Sequence, residues 1–426
     1  MTRASPAAGA GSRLDVMNFL NEMAEMFPKA VSFASGRPAE TFFQMDEWLR
    51  QVPRFVAHFA EQEGIAPAKA MNRLAQYGRT NGILNSLIAQ QVGVDEGIAC
   101  RAEQVLLTTG CQEAIDLCLT ALCQDEDDVV LVRSPTYIGV TGVADLNGIE
   151  LASFSCDAKQ GMGAALAQAV EAVEVRGKRV RVLYMIPDFD NPTGDVLSLQ
   201  QRVDAIAYCA QKGIVVLEDN PYGMFRYEGE RVPTMFSLDR HDCVIYLGTY
   251  SKTLCPSLRV GFAILPAALA AGGEGRLSLL DRLSQAKSFA TVNTSQITQA
   301  IVGGVLLEKG GSLQGHIGPA VAFYRQNRDA MAAALEHCFA GQEGVSWNVP
   351  EGGFFLTVTL PFRFGMEEAQ MCARDYGVLL MPLSFFALDV RQDQMVRLAF
   401  SNTDPAAIQE GIERFSQFVK DMIAAD

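Results

Sequence analysis

The sequence predicts an α/β protein in which helices sandwich a mostly parallel sheet, with a smaller α+β domain attached. Six short apolar runs between residues 105 and 265 are rich in β-branched residues and alternate with segments of helical periodicity. Such nearly continuous apolar strands are typical of parallel sheets buried on both faces. The runs occupy residues 105–108, 129–132, 180–186, 214–218, 244–247 and 260–265.

The domain organisation follows from the length and from a change of pattern near residue 305. Single cores divide beyond about 250 to 300 residues, and this chain has 426. A long helix at 312–340 and two later strands, at 352–359 and 395–400, predict the smaller domain. We expect an N-terminal arm at 1–30, a large domain at 63–305, and a small domain formed by 31–62 with 306–426. An amphipathic helix is predicted in the arm, over 12–27.

The composition favours a small-molecule partner. With 35 basic and 49 acidic residues the net charge is −14, which disfavours binding to nucleic acid or to an anionic membrane. No apolar run approaches the roughly 18 residues of a membrane helix, and no secretory signal is recognisable. The ten cysteines are scattered without a Cys-x-x-Cys pair and without a histidine-rich cluster. We therefore expect a cytoplasmic protein with reduced thiols and no metal site.

The segment 249–261 sets Lys252 among hydroxyl side chains, an arginine and a glycine. A desolvated lysine can condense with an aldehyde as a Schiff base, while arginine and hydroxyl groups can bind a phosphate dianion. Pyridoxal 5′-phosphate carries both an aldehyde and a phosphate. A single lysine after a strand is more often a solvated surface residue, so the hypothesis requires partners elsewhere in the chain.

A phosphate site is predicted at two strand ends, because ligands of open parallel sheets bind beyond the carboxyl ends of the strands. A turn and a helix start follow the run 105–108, where free backbone N–H groups and the helix dipole suit an anion. The predicted phosphate ligands are Gly110, Cys111, Gln112, Thr249, Ser251 and Arg259.

The partners of a pyridine ring are predicted at three other strand ends. A buried Asp219 would keep the ring nitrogen protonated, which makes the ring an electron sink. Asn191 and Tyr222 could donate hydrogen bonds to the 3′-oxygen, and Tyr137 could stack on the ring. Lys252 would then move protons between the substrate α-carbon and the cofactor. Arg397, in the C-terminal part, is the candidate for binding the α-carboxylate of an amino acid.

Eight short motifs occur in order along the chain. They are Ser35-Gly-Arg-Pro38, Tyr77-Gly-Arg-Thr-Asn-Gly82, Thr109-Gly-Cys-Gln112, Ser134-Pro-Thr-Tyr137, Asn191-Pro-Thr-Gly194, Asp219-Asn-Pro-Tyr222, Ser251-Lys252 and Arg397-Leu-Ala-Phe-Ser401. Together they resemble the fold type I pyridoxal-phosphate enzymes, specifically the class I/II aminotransferases near the 2-aminoadipate and kynurenine aminotransferases. The resemblance implies a homodimer with active sites at the subunit interface. It also implies that Tyr77 reaches the cofactor phosphate of the neighbouring subunit and that Gly36 lies beside the substrate carboxylate.

Three residues depart from the family pattern. Cys111 stands where serine is frequent, so one phosphate hydroxyl is missing while the backbone N–H remains. Asp190 replaces a common glutamine, and Arg79 occupies a place often held by proline. Near a substrate entrance, the extra carboxylate and the extra arginine could alter the choice of substrate side chain or the reaction type. We expect both Asp190 and Arg79 to face solvent instead.

The function implied is transfer of an amino group from an α-amino acid to a 2-oxo acid through an aldimine at Lys252. A lyase, decarboxylase or oxidative deaminase would use the same cofactor residues and stays an alternative. A noncatalytic cofactor-sensing domain of a transcription regulator is disfavoured by the negative charge and the short segment ahead of the main body. Acidic, aromatic and aliphatic substrates all stay open.

Overall fold

Three β-sheets and the helices around them form the part of the chain that a computed structural model describes, residues 22–23, 25–156, 160–272, 276–388 and 392–425. Most of the helix predicted over 12–27 lies outside these described residues. None of the described helices combines the length and apolar character that crossing a lipid bilayer requires.

The β-strands of the described residues number thirteen. In chain order they are β1 (Val31–Ser32), β2 (Val105–Thr108), β3 (Asp128–Arg133), β4 (Glu150–Phe154), β5 (Arg179–Met185), β6 (Val215–Asp219), β7 (Val244–Thr249), β8 (Gly261–Ile264), β9 (Ser346–Trp347), β10 (Phe355–Thr359), β11 (Val378–Leu379), β12 (Met381–Pro382) and β13 (Met395–Ala399).

The α-helices surround these strands and vary widely in length. In chain order they are α1 (Met45–Arg50), α2 (Val52–Glu63), α3 (Pro67–Leu74), α4 (Asn85–Glu96), α5 (Cys111–Leu122), α6 (Ile138–Asn147), α7 (Met162–Glu174), α8 (Leu199–Lys212), α9 (Met235–Leu238), α10 (Ala267–Ala270), α11 (Leu279–Ala290), α12 (Gln296–Glu308), α13 (Gln314–Phe339), α14 (Met366–Met371) and α15 (Pro405–Ala425).

The largest sheet has the strand order β2-β8-β7-β6-β5-β3-β4. The pairs from β7 to β4 are parallel, whereas β8 is antiparallel to both of its neighbours. This confirms the predicted mostly parallel sheet between helices. Because only β8 is reversed, the carboxyl ends of the other six strands lie at one edge of the sheet, where the predicted site residues meet.

One strand of this sheet was not predicted from the sequence. The strand β4 lies at the edge, and four of its five residues are only partly buried. Its sequence, Glu150-Leu-Ala-Ser-Phe154, is too polar to resemble the buried runs. An edge strand pairs on one side only, so its sequence needs less apolar character than that of a central strand.

The second sheet is antiparallel and has the order β12-β13-β10-β9. In it Arg397 lies opposite Thr357 on one side and Met381 on the other, so the residue occupies a central strand. A third, two-stranded sheet pairs β1 with β11 in parallel and ties residues near 31 to those near 378. The predicted domain boundaries stay a prediction.

A buried ion pair attaches the start of α5 to α11. Lys287 is fully buried, and its Nζ donates to Glu113 Oε2 at 2.7 Å and to Thr291 Oγ1 at 2.9 Å. The same carboxylate accepts from the Thr291 hydroxyl at 2.6 Å and from the Thr109 backbone N–H at 2.5 Å. Burial alone would raise the pKa of Glu113, but these donors hold it below its usual value. The pair therefore holds the turn that precedes α5.

Removal of this carboxylate tests how much the attachment stabilises the fold. Glu113→Ala leaves the Lys287 ammonium buried without its counter-charge, and we expect the free energy of unfolding to fall by about 3–5 kcal/mol. Urea unfolding followed by circular dichroism measures the loss. The double variant Glu113→Leu/Lys287→Met should recover most of it, because apolar residues can replace a buried pair. A loss of less than about 1 kcal/mol in Glu113→Ala would contradict the assignment.

Candidate active site

A cavity of 510 Å³ lies beyond the carboxyl ends of β2, β5, β6 and β7, against residues of the second sheet. It brings together twelve of the fourteen predicted site residues. Gly110 lies beside it, and Tyr77 does not line it. The twelve are Gly36, Cys111, Gln112, Tyr137, Asn191, Asp219, Tyr222, Thr249, Ser251, Lys252, Arg259 and Arg397.

Lys252 follows the end of β7 and reaches across the cavity. Its Nζ donates to the backbone carbonyl of Gly36 at 3.1 Å. The pKa of Lys252 is lowered to about 8, first by burial and then by the positive charges of Arg397 and Arg259, each of which outweighs the opposite effect of Asp219. A substantial fraction of the amine is therefore neutral near pH 8, which is the form that attacks a carbonyl.

One end of the cavity is built for an anion. Arg259 adopts a left-handed backbone, with φ of 50°, and its Nη2 donates to the Thr109 carbonyl at 3.2 Å. The Ser251 hydroxyl accepts from the Thr249 hydroxyl at 3.0 Å and from Arg259 Nη1 at 3.4 Å. Two hydroxyl groups and a guanidinium thus lie together, as phosphate binding requires.

The turn before α5 completes this end. Gly110 has φ of 77°, and a Cβ there would lie 2.3 Å from Arg259 Nη2, so only glycine allows the guanidinium to approach. The helix begins at Cys111, directly after Gly110. Its free N–H groups and positive dipole end therefore belong to the turn itself.

At the opposite end Asp219, the last residue of β6, is 3% exposed. Its Oδ2 accepts from the Tyr184 hydroxyl at 2.6 Å, and its Oδ1 accepts from the Cys111 thiol at 3.1 Å. Burial raises the pKa of Asp219, while the two hydrogen bonds and Lys252 oppose that rise. Asp219 is a buried carboxylate that a cationic ring nitrogen would neutralise.

Tyr184 was missed by the sequence reasoning. It lies inside the apolar run of β5 and is 1% exposed, so the pattern treats it as core. The signal that could have found it is the phenol itself, because a buried tyrosine hydroxyl needs a hydrogen-bond partner. Its partner Asp219 is in the neighbouring strand.

The aromatic and amide side chains predicted to contact the pyridine ring are hydrogen-bonded to one another or to nearby backbone. The Tyr137 hydroxyl donates to Gln112 Oε1 at 3.2 Å, and Gln112 Nε2 donates to the Gly139 carbonyl at 2.8 Å. The Gln112 side chain therefore orients Tyr137. Burial raises the pKa of Tyr222, whose hydroxyl is hydrogen-bonded to Asn191.

Arg397 lies between two phenylalanine rings, with its guanidinium carbon 4.4 Å from the Phe355 centroid and 4.6 Å from the Phe386 centroid. Its Nη1 donates to Asn191 Oδ1 at 2.8 Å, and its Nη2 donates to the Ala34 carbonyl. Within the described residues its buried Nε has no hydrogen-bond partner. Burial lowers the pKa of Arg397 to about 10, so the group stays cationic at neutral pH and can bind a carboxylate.

The rings around Arg397 and the position of Tyr77 could not be read from the sequence. Phe355 and Phe386 are 42 and 11 residues away in the chain, and no spacing links them to the arginine. A Cβ on Gly36 would lie 2.2 Å from the Phe355 ring, so glycine is required where the chain passes this ring. Tyr77 is 79% exposed on the surface of the chain.

The expectation for Asp190 was wrong, and that for Arg79 is confirmed. Asp190 is 5% exposed and accepts from the Thr193 hydroxyl at 3.2 Å. Burial raises the pKa of Asp190 to about 7 although the charge of Arg133 opposes the rise. The compact turn 190–194 folds this side chain inward, which a sequence pattern does not reveal. Arg79 is exposed and pairs with Glu63 at 2.9 Å.

The cavity fits pyridoxal 5′-phosphate by its donor set. The cradle at Gly110 suits the phosphate, the buried Asp219 suits a ring nitrogen, and Lys252 lies between them with a lowered pKa. Among the described residues no cluster of three or more His, Cys, Asp or Glu could hold a metal ion. The fold and the site define a pyridoxal-phosphate enzyme of fold type I.

Comparison with known proteins narrows this class. The family model "Aminotransferase class I and II" matches residues 29–415, and the chain belongs to that family. It is 38% identical to an (S)-3,5-dihydroxyphenylglycine transaminase of Amycolatopsis orientalis over 95% of this chain and 91% of that protein. It is 29% identical to a 2-aminoadipate transaminase of Thermus thermophilus over 99% of this chain and 98% of that protein.

The solved structures agree with these relatives. The kynurenine aminotransferase of Pyrococcus horikoshii, in complex with PMP, superposes with a TM-score of 0.80 at 27% identity and covers 95% of this chain and 94% of that one. The chain is thus a pyridoxal-phosphate-dependent aminotransferase acting on amino acids. The lyase, decarboxylase and oxidative deaminase alternatives gain no support from these relatives.

The buried Asp190 predicts a pH dependence of stability. Its folded pKa of about 7 lies above the ordinary 3.8, so the folded state binds the proton more tightly than the unfolded state. The contribution of Asp190 to stability is therefore present below about pH 4 and is lost as the pH rises to about 7. Asp190→Asn removes this titration. We expect the stability of the variant relative to wild type to rise across that window by up to about 4 kcal/mol.

Urea unfolding at a series of pH values measures the difference in stability between Asp190→Asn and wild type. The test uses only the change of this difference with pH, because the asparagine amide also changes local hydrogen bonds at every pH. Glu61→Gln, which changes an exposed carboxylate on α2 far from this turn in the chain, is the control and should follow the wild-type curve. Parallel curves for Asp190→Asn and wild type between pH 4 and 7 would refute the assignment.

Proposed function

We propose that this aminotransferase takes an amino donor with an aromatic side chain and passes its amino group to a 2-oxo acid. The observation that carries the amino-acid part of this proposal is the buried Arg397, whose Nε has no hydrogen-bond partner among the described residues and which shares one cavity with Lys252. A carboxylate bound there would sit within reach of an amine nucleophile, which suits an α-amino acid.

The proposed roles follow the polarity of the cavity. The phosphate binds between the turn at Gly110–Gln112 and the group formed by Thr249, Ser251 and Arg259. Asp219 holds a proton on the ring nitrogen, and Asn191 with Tyr222 binds the 3′-oxygen. When bound, pyridoxal phosphate accepts the electron pair that remains at the substrate α-carbon.

Lys252 is the proposed site of covalent attachment to the cofactor aldehyde and, once released by substrate, the base. Its lowered pKa supports both roles, because the neutral amine can accept a proton from the substrate α-carbon. Its hydrogen bond to the Gly36 carbonyl would orient it along the side of the cavity that faces Arg397. The same nitrogen would then release that proton, so Lys252 would be both acceptor and donor of the proton that transamination moves.

An aromatic donor is supported by the wall of the cavity and by one relative. Apolar side chains line the part nearest the second sheet, namely those of Met23, Ala34, Phe355, Ala369, Leu379 and Leu380. Such a surface gains from burying a ring. The relative with 38% identity is named for a substrate with a phenyl side chain.

A donor panel tests this choice. With 2-oxoglutarate as acceptor, we expect kcat/KM for phenylglycine, its 3,5-dihydroxy derivative and phenylalanine to exceed that for 2-aminoadipate by about tenfold or more, since apolar contacts discriminate by this order. Mass spectrometry identifies the products. Preference for 2-aminoadipate would overturn the aromatic assignment, and product formation without an acceptor would argue against transamination.

Arg397→Ala provides the carboxylate control within the same panel. It should reduce kcat/KM for phenylglycine while leaving that for benzylamine, which lacks the carboxylate, nearly unchanged. Arg363→Ala, an exposed arginine outside the cavity, should change neither.

We also propose a cytoplasmic homodimer with shared active sites. Tyr77, Phe289, Val292 and Ile297 form an exposed apolar surface, here termed the Tyr77 surface, with exposed fractions from 45% to 93%. Their segments adjoin, because the Gly78 N–H donates to Asn293 Oδ1 at 3.4 Å. Burial of this surface against a second copy would remove apolar area from water. The ten cysteines are free thiols, which supports a reducing compartment.

Subunit mixing tests the shared site. Homodimers of Lys252→Ala should be inactive, and homodimers of Tyr77→Ala should bind the cofactor weakly. A heterodimer of the two has one site with both residues intact and should regain cofactor binding and turnover at that site. Sedimentation gives the oligomeric state. A monomer, or a mixture no more active than Tyr77→Ala alone, would overturn the proposal.

A further inference from the structure

The carboxylate of Asp219 receives a separate donor on each oxygen. Tyr184 donates to Oδ2 at 2.6 Å, and the Cys111 thiol donates to Oδ1 at 3.1 Å. The tyrosine belongs to β5 and the cysteine to the first turn of α5, so the two donors approach from different elements. A carboxylate held by two donors cannot rotate without breaking one of them.

The backbone at Cys111 is closely packed. A Cβ on Gly261 would lie 2.7 Å from the Cys111 nitrogen, so β8 lies directly against this turn. The Arg259 guanidinium occupies the space beside the preceding Gly110. From this confined backbone the thiol extends toward Asp219 Oδ1.

The thiol stays protonated and can act as a donor. Burial raises the pKa of Cys111 well above its usual value, and the negative charge of Asp219 raises it further. Burial likewise raises the pKa of Tyr184. Both groups therefore keep their protons over the range in which an aminotransferase works.

We propose that Cys111 is a positioning residue for Asp219: its backbone N–H belongs to the phosphate end, whereas its thiol and Tyr184 aim the carboxylate at the ring nitrogen. The single residue would thus connect the two ends of the cofactor site. Where a serine could direct its hydroxyl to the phosphate, this chain uses the longer thiol to support the carboxylate. The proposal rests on the cofactor assignment and not on the choice of substrate.

Cofactor binding to the apoenzyme tests the role without any measurement of activity. Loss of a hydrogen bond to a charged group should weaken binding of pyridoxal phosphate to Cys111→Ala by about tenfold. An analogue with carbon in place of the ring nitrogen makes no bond to Asp219, so wild type and Cys111→Ala should bind it equally. Equal loss for both compounds would assign Cys111 to the phosphate or to the fold, and no loss for either would also overturn the proposal.

The spectrum of the bound cofactor gives a second readout. If Asp219 holds the ring proton less firmly, less positive charge lies near the lysine linkage, and the pH midpoint of the visible band should rise by about half a unit. We expect this rise in Cys111→Ala and in Tyr184→Phe, because each removes one donor to the carboxylate. Cys338→Ala, a cysteine outside the cavity, is the control and should titrate as wild type. A shift in Tyr184→Phe without one in Cys111→Ala would refute the role of the thiol.

Discussion

The contact between Arg397 and Asn191 joins the two halves of the active site. Asn191 follows β5 of the large sheet, and Arg397 belongs to β13 of the second sheet, 206 residues away. The guanidinium is buried between two aromatic rings, which lowers its pKa to about 10 without removing its charge. Because an unpaired buried charge is costly, the chain gains from a carboxylate ligand at this place.

The charged side chains that line the cavity shift one another's pKa values. Arg397 and Lys252 bring positive charge into the cavity, Arg259 adds to it from an exposed position, and Asp219 is the buried carboxylate among them. Their mutual repulsion contributes to the lowered pKa of Lys252. An anionic phosphate at one end and an anionic carboxylate at the other would neutralise the arginines. Cofactor and substrate are therefore part of the charge balance that this fold requires.

Prediction from the sequence was most successful where a strand ends and a polar residue follows. The parallel sheet places those ends at one edge, so the sequence order of Asn191, Asp219 and Lys252 was enough to predict that they meet. It was least successful where burial depends on local geometry. The sequence predicted that Asp190 faces solvent, but in the structure the turn 190–194 buries its side chain. The apolar pattern predicted Tyr184 to be a core residue without a polar role, but its hydroxyl donates to Asp219.

The sequence by itself determined the periodicity of the buried strands, the order of the motifs and the chemistry of each side chain, because these depend on residues close together in the chain. The tertiary structure alone decided which distant groups touch. It placed Phe355 and Phe386 on Arg397, and it directed the Cys111 thiol to Asp219 rather than to the phosphate end. Such contacts depend on how separate elements pack, and a side chain's pKa and direction depend on them. The segment 249–261 indicated the cofactor chemistry from its side chains alone. The packing around Lys252 lowers its pKa, which allows the amine to react.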